Sequence, residues 1–130
     1  MSLIGCVFGA VGTAGQRCTT TRRLIIHEAV YDTFKEKLVS AYQQLKIGNP
    51  LEEQHHVGPL IDKDAVNLYS AAIEKCKAEG GKFVVEGRVL EGKGYESGCY
   101  VQPCIAEAQN NYSIVQHETF APILYLMKYK

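Results

Sequence analysis

Net charge, long apolar runs and paired cysteines are all missing from this sequence, and each absence removes a class of function. Lysine plus arginine equals aspartate plus glutamate at fourteen each, so no net field draws nucleic acid or an anionic membrane, and neither is expected as a partner. No apolar stretch approaches the roughly 20 residues of a membrane span. Met1-Ser2-Leu3 leads into a helical pattern without the charged n-region and cleavage site of a secreted protein. The five cysteines, Cys6, Cys18, Cys76, Cys99 and Cys104, are odd in number and lack framework spacing. They read as reduced thiols in a reducing, intracellular compartment. Cys99 and Cys104 could in principle join His55 and His56 at a metal, but the short Cys-x-x-Cys pairs that announce zinc sites are lacking, and no metal is expected. The glycines from Gly9 to Gly15 are not followed by the Gly-Lys-Ser/Thr of a phosphate loop, and Gly-x-Gly-x-x-Gly occurs nowhere. No internal repeat or low-complexity tract is visible.

What is present is one domain's worth of chain, long enough at 130 residues to bury about two-thirds of its unfolded surface. Its most informative stretch is Val11-Gly12-Thr13-Ala14-Gly15-Gln16-Arg17-Cys18-Thr19-Thr20-Thr21. A helix is expected from Ser2 to about Ala14, with Ile4, Val7, Phe8 and Val11 as its buried face and Gly5, Gly9 and Gly12 as a row that admits close packing. Gly15 stops that helix and lets a turn aim Cys18 out of the packing. The positive charge of Arg17 beside it favours a thiolate. Cys18 is therefore a candidate nucleophile, against the plainer reading of a small core residue.

The remainder alternates strands and helices. Arg22 to His27 reads as a buried strand. Val30, Phe34, Leu38, Ala41 and Leu45 mark an amphipathic helix stopped by Gly48 and Pro50. Asp62 is a plausible N-cap for a helix that buries Ala65, Val66, Tyr69, Ile73 and Cys76 and ends at Gly80-Gly81. Lys82 to Glu86 is strand-like, Gly87 to Gly98 an exposed loop, Tyr100 to Ala106 a strand that Pro103 confines to an edge or shortens, and Ile123 to Tyr129 the longest strand. The pattern predicts an α/β fold, an open, mainly parallel sheet with flanking helices.

Gly15-Gln16-Arg17-Cys18-Thr19, followed by Arg23-Leu24-Ile25-Ile26, resembles the catalytic-cysteine segment of the NAD(P)-dependent aldehyde dehydrogenases. The form Gly12 to Thr20 looks most like the antiquitin branch, the α-aminoadipic semialdehyde dehydrogenases. Glu118-Thr119-Phe120-Ala121-Pro122-Ile123 resembles that family's Glu-x-Phe-[Gly/Ala]-Pro segment. Ile47-Gly48-Asn49-Pro50, Gly58-Pro59-Leu60 and Tyr100-Val101-Gln102-Pro103 fall between them in family order. The resemblance implies that Cys18 attacks an aldehyde to give a thiohemiacetal, which yields hydride to the nicotinamide and leaves a thioester for hydrolysis. It also implies that the Cys18 backbone N–H donates to the oxyanion, Glu118 holds the nicotinamide ribose hydroxyls, Phe120 packs beside the nicotinamide, and Arg17 recognises the polar end of an aminoadipate-like substrate. Gln16 and Thr19 would serve as pocket wall or backbone-fixing groups. NAD or NADP, a small aldehyde, a homo-oligomeric parent (a tetramer by family likeness) and a cytoplasmic or mitochondrial location belong to the same expectation. Without the resemblance, Glu118 would be a solvated acid and Phe120 a core residue.

Several family parts have no counterpart here. The general-base Glu upstream of the nucleophile, the Asn that completes the oxyanion hole and the dinucleotide-binding βαβ segment are not found. Residues 1–130 are thus expected to be one truncated, nucleophile-bearing catalytic domain, inactive alone, cut from a longer enzyme inside a core strand at Lys128-Tyr129-Lys130. Two other classes stay open: a thiol hydrolase in which His27, His55, His56 or His117 serves Cys18 as base, and a non-catalytic α/β interaction module with a structural cysteine.

Overall fold

The computed structural model describes residues 3–130, so the expected helical start at Ser2 and the Met1-Ser2 leader lie outside the described residues. Helix α1 spans Leu3–Val11 and runs into a tight turn over Gly12–Gly15. There follow β1 (Arg23–His27), α2 (Glu28–Gln43), α3 (Lys63–Ala78), β2 (Lys82–Val85), β3 (Cys104–Glu107), α4 (Ser113–Gln116) and β4 (Ile123–Tyr129). The strands form one sheet in the order β1-β4-β3-β2, with β1 and β3 parallel to β4, and β2 antiparallel to β3. This is the open, mainly parallel α/β sheet that the pattern predicts. Five consecutive residues of β4, Ile123 to Met127, are buried, as a strand covered on both faces requires. No described helix is long and apolar enough to cross a membrane.

Helix α3 follows its sequence closely. The Asp62 carboxylate accepts from the Ala65 backbone N–H at 2.8 Å, satisfying one of the orphan donors of the first turn. Val66, Tyr69, Ile73 and Cys76 face the core, joined by Ala72.

Elsewhere the structure corrects the pattern. Helix α1 does not bury Ile4 and Phe8, which are 79% and 66% exposed; Cys6, Ala10 and Val11 face the core instead. Small side chains let α1 approach closely, and the larger apolar ones line an open hollow with Ala41 and Leu45. Of the glycine row only Gly9 marks a close approach, since a Cβ there would lie 2.7 Å from Thr21 Oγ1 while one on Gly5 would meet nothing. The buried face of α2 is Tyr31, Leu38 and Tyr42, with Val30 exposed. Tyrosines form this face because their rings bury apolar area while a hydroxyl can still reach a partner, as Tyr31 Oη donates to Glu107 at 2.7 Å. Strand β1 is an edge strand that buries Leu24 and Ile26 and leaves Ile25 59% exposed. Pro103 shortens its strand to Cys104–Glu107 without confining it to an edge, for β3 lies between β4 and β2. The glycine-rich loop is not exposed throughout, since Leu90 is buried, and a Cβ on Gly87 would press on Ile73, Tyr69 and Cys104.

Candidate active site

Sheet topology decides which segments meet. Strands β1 and β4 are parallel neighbours with Arg23 opposite Tyr125. The residues leading into both strands therefore emerge at the same end of the sheet, and the Tyr125 N–H donates to the Arg22 carbonyl at 2.8 Å. One lead-in carries Cys18 and the other carries Glu118 and Phe120. A hundred positions of sequence collapse to adjacent turns.

The first lead-in is built by an unusual backbone. Thr13 and Ala14 adopt φ of 52° and 53°, and Gly15 follows at 70°. Left-handed backbone at a residue with a side chain costs about 1–2 kcal/mol, and such strain is retained where a site needs an abrupt change of direction. The chain then closes a second turn in which the Thr20 N–H donates to the Arg17 carbonyl at 3.1 Å and the Arg17 N–H donates to Thr20 Oγ1 at 3.2 Å. The Thr21 N–H returns to the Gly9 carbonyl at 2.9 Å, seating the turn on α1. Gln16 fixes it from the other side: Nε2 donates to the Thr13 and Pro59 carbonyls, and Oε1 accepts from the Ile61 N–H at 2.9 Å. The backbone-fixing role expected of Gln16 is thereby accounted for, and the Gly58-Pro59-Leu60 segment becomes part of the scaffold.

Cys18 projects from this turn into solvent, whereas Cys6, Cys76 and Cys104 are buried and Cys99 half-buried. Burial pushes the thiols of Cys6, Cys76 and Cys104 up, which disfavours the thiolate a nucleophile requires.

The second lead-in docks directly on the first. A Cβ on Gly15 would collide with the Ala121 carbonyl and lie 2.6 Å from Pro122 N. Cys18 and Glu118 line the same depression of about 500 Å³, together with Thr19, Arg22 and His117. Phe120, 44% exposed, opens onto an adjoining hollow of about 300 Å³ that Glu118 and His117 also border. Arg22 joins the two. Its Nη2 lies 3.6 Å from Glu118 Oε1, and its guanidinium stands 5.0 Å from the centroid of the Phe120 ring.

Not every expected residue converges. The Arg17 side chain lines the apolar hollow beside α1 with Phe8 and His56, on a different wall from the Cys18–Glu118 depression. Of the four histidines, His117 borders that depression; His27 caps α2 by accepting from the Ala29 N–H, and His55 and His56 sit in the loop before α3. Sequence reasoning passed over Arg22. Its signal was present, as two arginines opening an otherwise apolar strand have to be stationed by something outside the core. Among the described residues no group of three or more His, Cys, Asp or Glu side chains is placed to hold a metal ion.

An exposed thiol sharing a depression with a carboxylate from a second turn, whose aromatic opens onto the adjoining hollow, is in keeping with what the sequence resembles. The model of the aldehyde dehydrogenase family matches residues 2–130. The chain belongs to the aldehyde dehydrogenase family. Aldehyde dehydrogenase family 7 member A1 of Pisum sativum is 50% identical over 123 residues, which cover 95% of this chain and 23% of that protein. The α-aminoadipic semialdehyde dehydrogenase of Bos taurus is 46% identical over 125 residues, covering 95% of this chain and 22% of that protein. These relatives bear out the likeness to the antiquitin branch. Among solved structures, betaine aldehyde dehydrogenase from Staphylococcus aureus in complex with NAD+ superposes with a TM-score of 0.94 at 23% identity, over 98% of this chain and 26% of that one. The chain spans about a quarter of the length of the relatives it matches, 24% for the Dictyostelium discoideum homologue.

Proposed function

We propose that this chain is the nucleophile-bearing part of an NAD(P)-dependent oxidoreductase that converts an aldehyde to a carboxylic acid, with α-aminoadipic semialdehyde or a close relative as substrate. The observation that carries the proposal is the exposed Cys18 on the same depression as Glu118. Cys18 Sγ attacks the carbonyl carbon and forms the carbon–sulfur bond of a thiohemiacetal, and the Cys18 backbone N–H donates to the oxygen that gains charge. Glu118 and Phe120 fit the edge of a dinucleotide site. Both are exposed and adjacent, the carboxylate able to accept from paired ribose hydroxyls and the ring offering a flat wall to the nicotinamide. NAD, when bound, supplies the hydride acceptor. Arg17 would meet the polar end of a substrate that reaches past Cys18 toward α1, where its exposed guanidinium can pair with a carboxylate.

The general base, the oxyanion amide and the dinucleotide-binding βαβ segment lie, on this reading, outside residues 1–130, and the parent is a homo-oligomer of the cytoplasm or mitochondrion. The test is a graft. Residues 2–130 replace the matching segment of the bovine α-aminoadipic semialdehyde dehydrogenase, and reduced nicotinamide is followed by absorbance. The graft is expected to turn over, Cys18→Ala to lower kcat/KM by at least ~10³-fold, and the chain alone to give no turnover. A Cys18→Ala graft that keeps its activity would overturn the assignment.

A further inference from the structure

We infer that Arg22 is a positioning residue that holds the Cys18 turn and the Glu118–Phe120 segment in one fixed relation; this rests on the reading of those residues given above. A single guanidinium faces both segments. Toward the turn, Nη1 donates to the Thr20 carbonyl at 3.4 Å, and Nη2 donates to the Gly15 and Arg17 carbonyls at 3.4 and 3.3 Å. These acceptors lie on both sides of Cys18 in the chain, so the backbone that carries the thiol is gripped before and after it. Toward the other segment, the same Nη2 lies 3.6 Å from Glu118 Oε1 and the guanidinium sits 5.0 Å from the Phe120 ring centroid.

The side chain is only 16% exposed, and its Nε is buried without a hydrogen-bond partner. Leaving a buried donor unmade is unfavourable, so this placement is not that of an arginine free to extend into water. It is offset by what a planar fork does and an ammonium cannot: serve several carbonyls, pair with a carboxylate and lie near an aromatic at once. Lysine at this position keeps the charge beside Glu118 and loses the multiple grip on the turn. The two functions of Arg22 are therefore separable by substitution.

The grafted enzyme carries the experiment, in Arg22→Met, Arg22→Lys, Glu118→Gln and Arg22→Met/Glu118→Gln forms. The NAD dissociation constant is measured by calorimetry without aldehyde, kcat and both KM values by turnover, and folding by melting temperature. Arg22→Met is expected to weaken NAD about tenfold and to lower kcat about ten- to a hundredfold, with the aldehyde KM little changed, because misplacing a reacting group by about 1 Å has effects of this order. Arg22→Lys is expected to restore NAD affinity to within about threefold of the parent while kcat stays low. In the Glu118→Gln background the loss of NAD affinity on Arg22→Met is expected to shrink, since coupled residues are not additive.

Arginine variants that lower only the melting temperature, or additive losses in the cycle, would overturn the proposal. If Arg22→Met does not fold, Arg22→Lys decides, and an unchanged kcat overturns it. Failure of the underlying reading looks different: Cys18→Ala then remains active whatever Arg22 does.

Discussion

The docking of Gly15 on Ala121 and Pro122 can be weighed by a series of three glycine-to-alanine substitutions. Gly5 lies within α1, and a Cβ there would meet nothing within 4 Å. Alanine at Gly5 should stabilise by about 0.5–1 kcal/mol, the intrinsic helix preference. Gly92 has φ of +104° and equally open surroundings. Alanine there meets the strain of a positive φ, about 1–3 kcal/mol, less about 0.4–1 kcal/mol for the stiffer unfolded chain. Gly15 has φ of +70° and also a Cβ position that collides with the Ala121 carbonyl. About 1–2 kcal/mol of left-handed backbone and about 1–3 kcal/mol of overpacking, less the same unfolded-state gain, give a net loss of about 1–5 kcal/mol.

Denaturant titration gives the stabilities, and backbone amide shifts show where each change is felt. Gly15→Ala should displace the amide signals of both Cys18 and Glu118, because one added methyl wedges the two turns apart. Gly92→Ala should leave both signals in place. The reasoning fails if Gly15→Ala costs no more than Gly92→Ala, or if Cys18 shifts while Glu118 does not, for then the turns are not packed on each other.

Two further outcomes follow from side-chain geometry. Asp62→Ala should destabilise by about 0.5–2 kcal/mol, the ordinary worth of an N-cap, and Asp62→Asn or Asp62→Ser should recover most of it in the same titration. Burial acts to raise the Glu107 carboxyl, but the hydrogen bonds from Tyr31 and Lys35 and the Lys35 charge outweigh it, so its pKa falls below the ordinary 4.5. A carboxyl depressed by folding lends stability above its unfolded value and loses it as pH falls through the folded value. Stability measured downward from about pH 4.5 should therefore decline less steeply in Glu107→Gln than in the parent chain. Equal acid limbs would mean that Tyr31 and Lys35 do not favour the charged form.

What the sequence disclosed was what depends on local chemistry. The Asp62 cap, the core face of α3, the long apolar run of β4 and the break at Pro103 each rest on one residue type with one conformational preference, and each appears in the fold. Which apolar stripe meets a partner is not a local property. The aliphatic spacing of α1 and α2 is real, but α1 turns Ile4 and Phe8 outward, and α2 buries tyrosines. The edge position of β1 was equally hidden, because Leu24-Ile25-Ile26 reads the same whether one face is covered or two. Within the site, Cys18 and Glu118 could be named from their motifs, since each motif is a continuous stretch. For Arg22 the sequence offers only a charge at the mouth of an apolar strand; its role lies in three carbonyls and a carboxylate that only the folded chain brings around it.

Ligands of open α/β sheets usually collect at the carboxyl ends of the strands, yet the Cys18 and Glu118 turns stand at the amino ends of β1 and β4. What fixes their spacing is register. Arg23 pairs with Tyr125 and Leu24 with Leu126, and a slip of one residue would carry Leu24 and Ile26 to the open face and bring Ile25 inward. The buried face of β1 resists that exchange through the apolar area it would expose. A slip would also move one lead-in past the other by about 3.3 Å, the rise per residue of a strand, more than enough to part Arg22 from Glu118. The aliphatic core, by selecting one register, therefore sets the relation between the thiol and the carboxylate, so a substitution that loosens Leu24 or Ile26 should disturb the site without touching any residue in it.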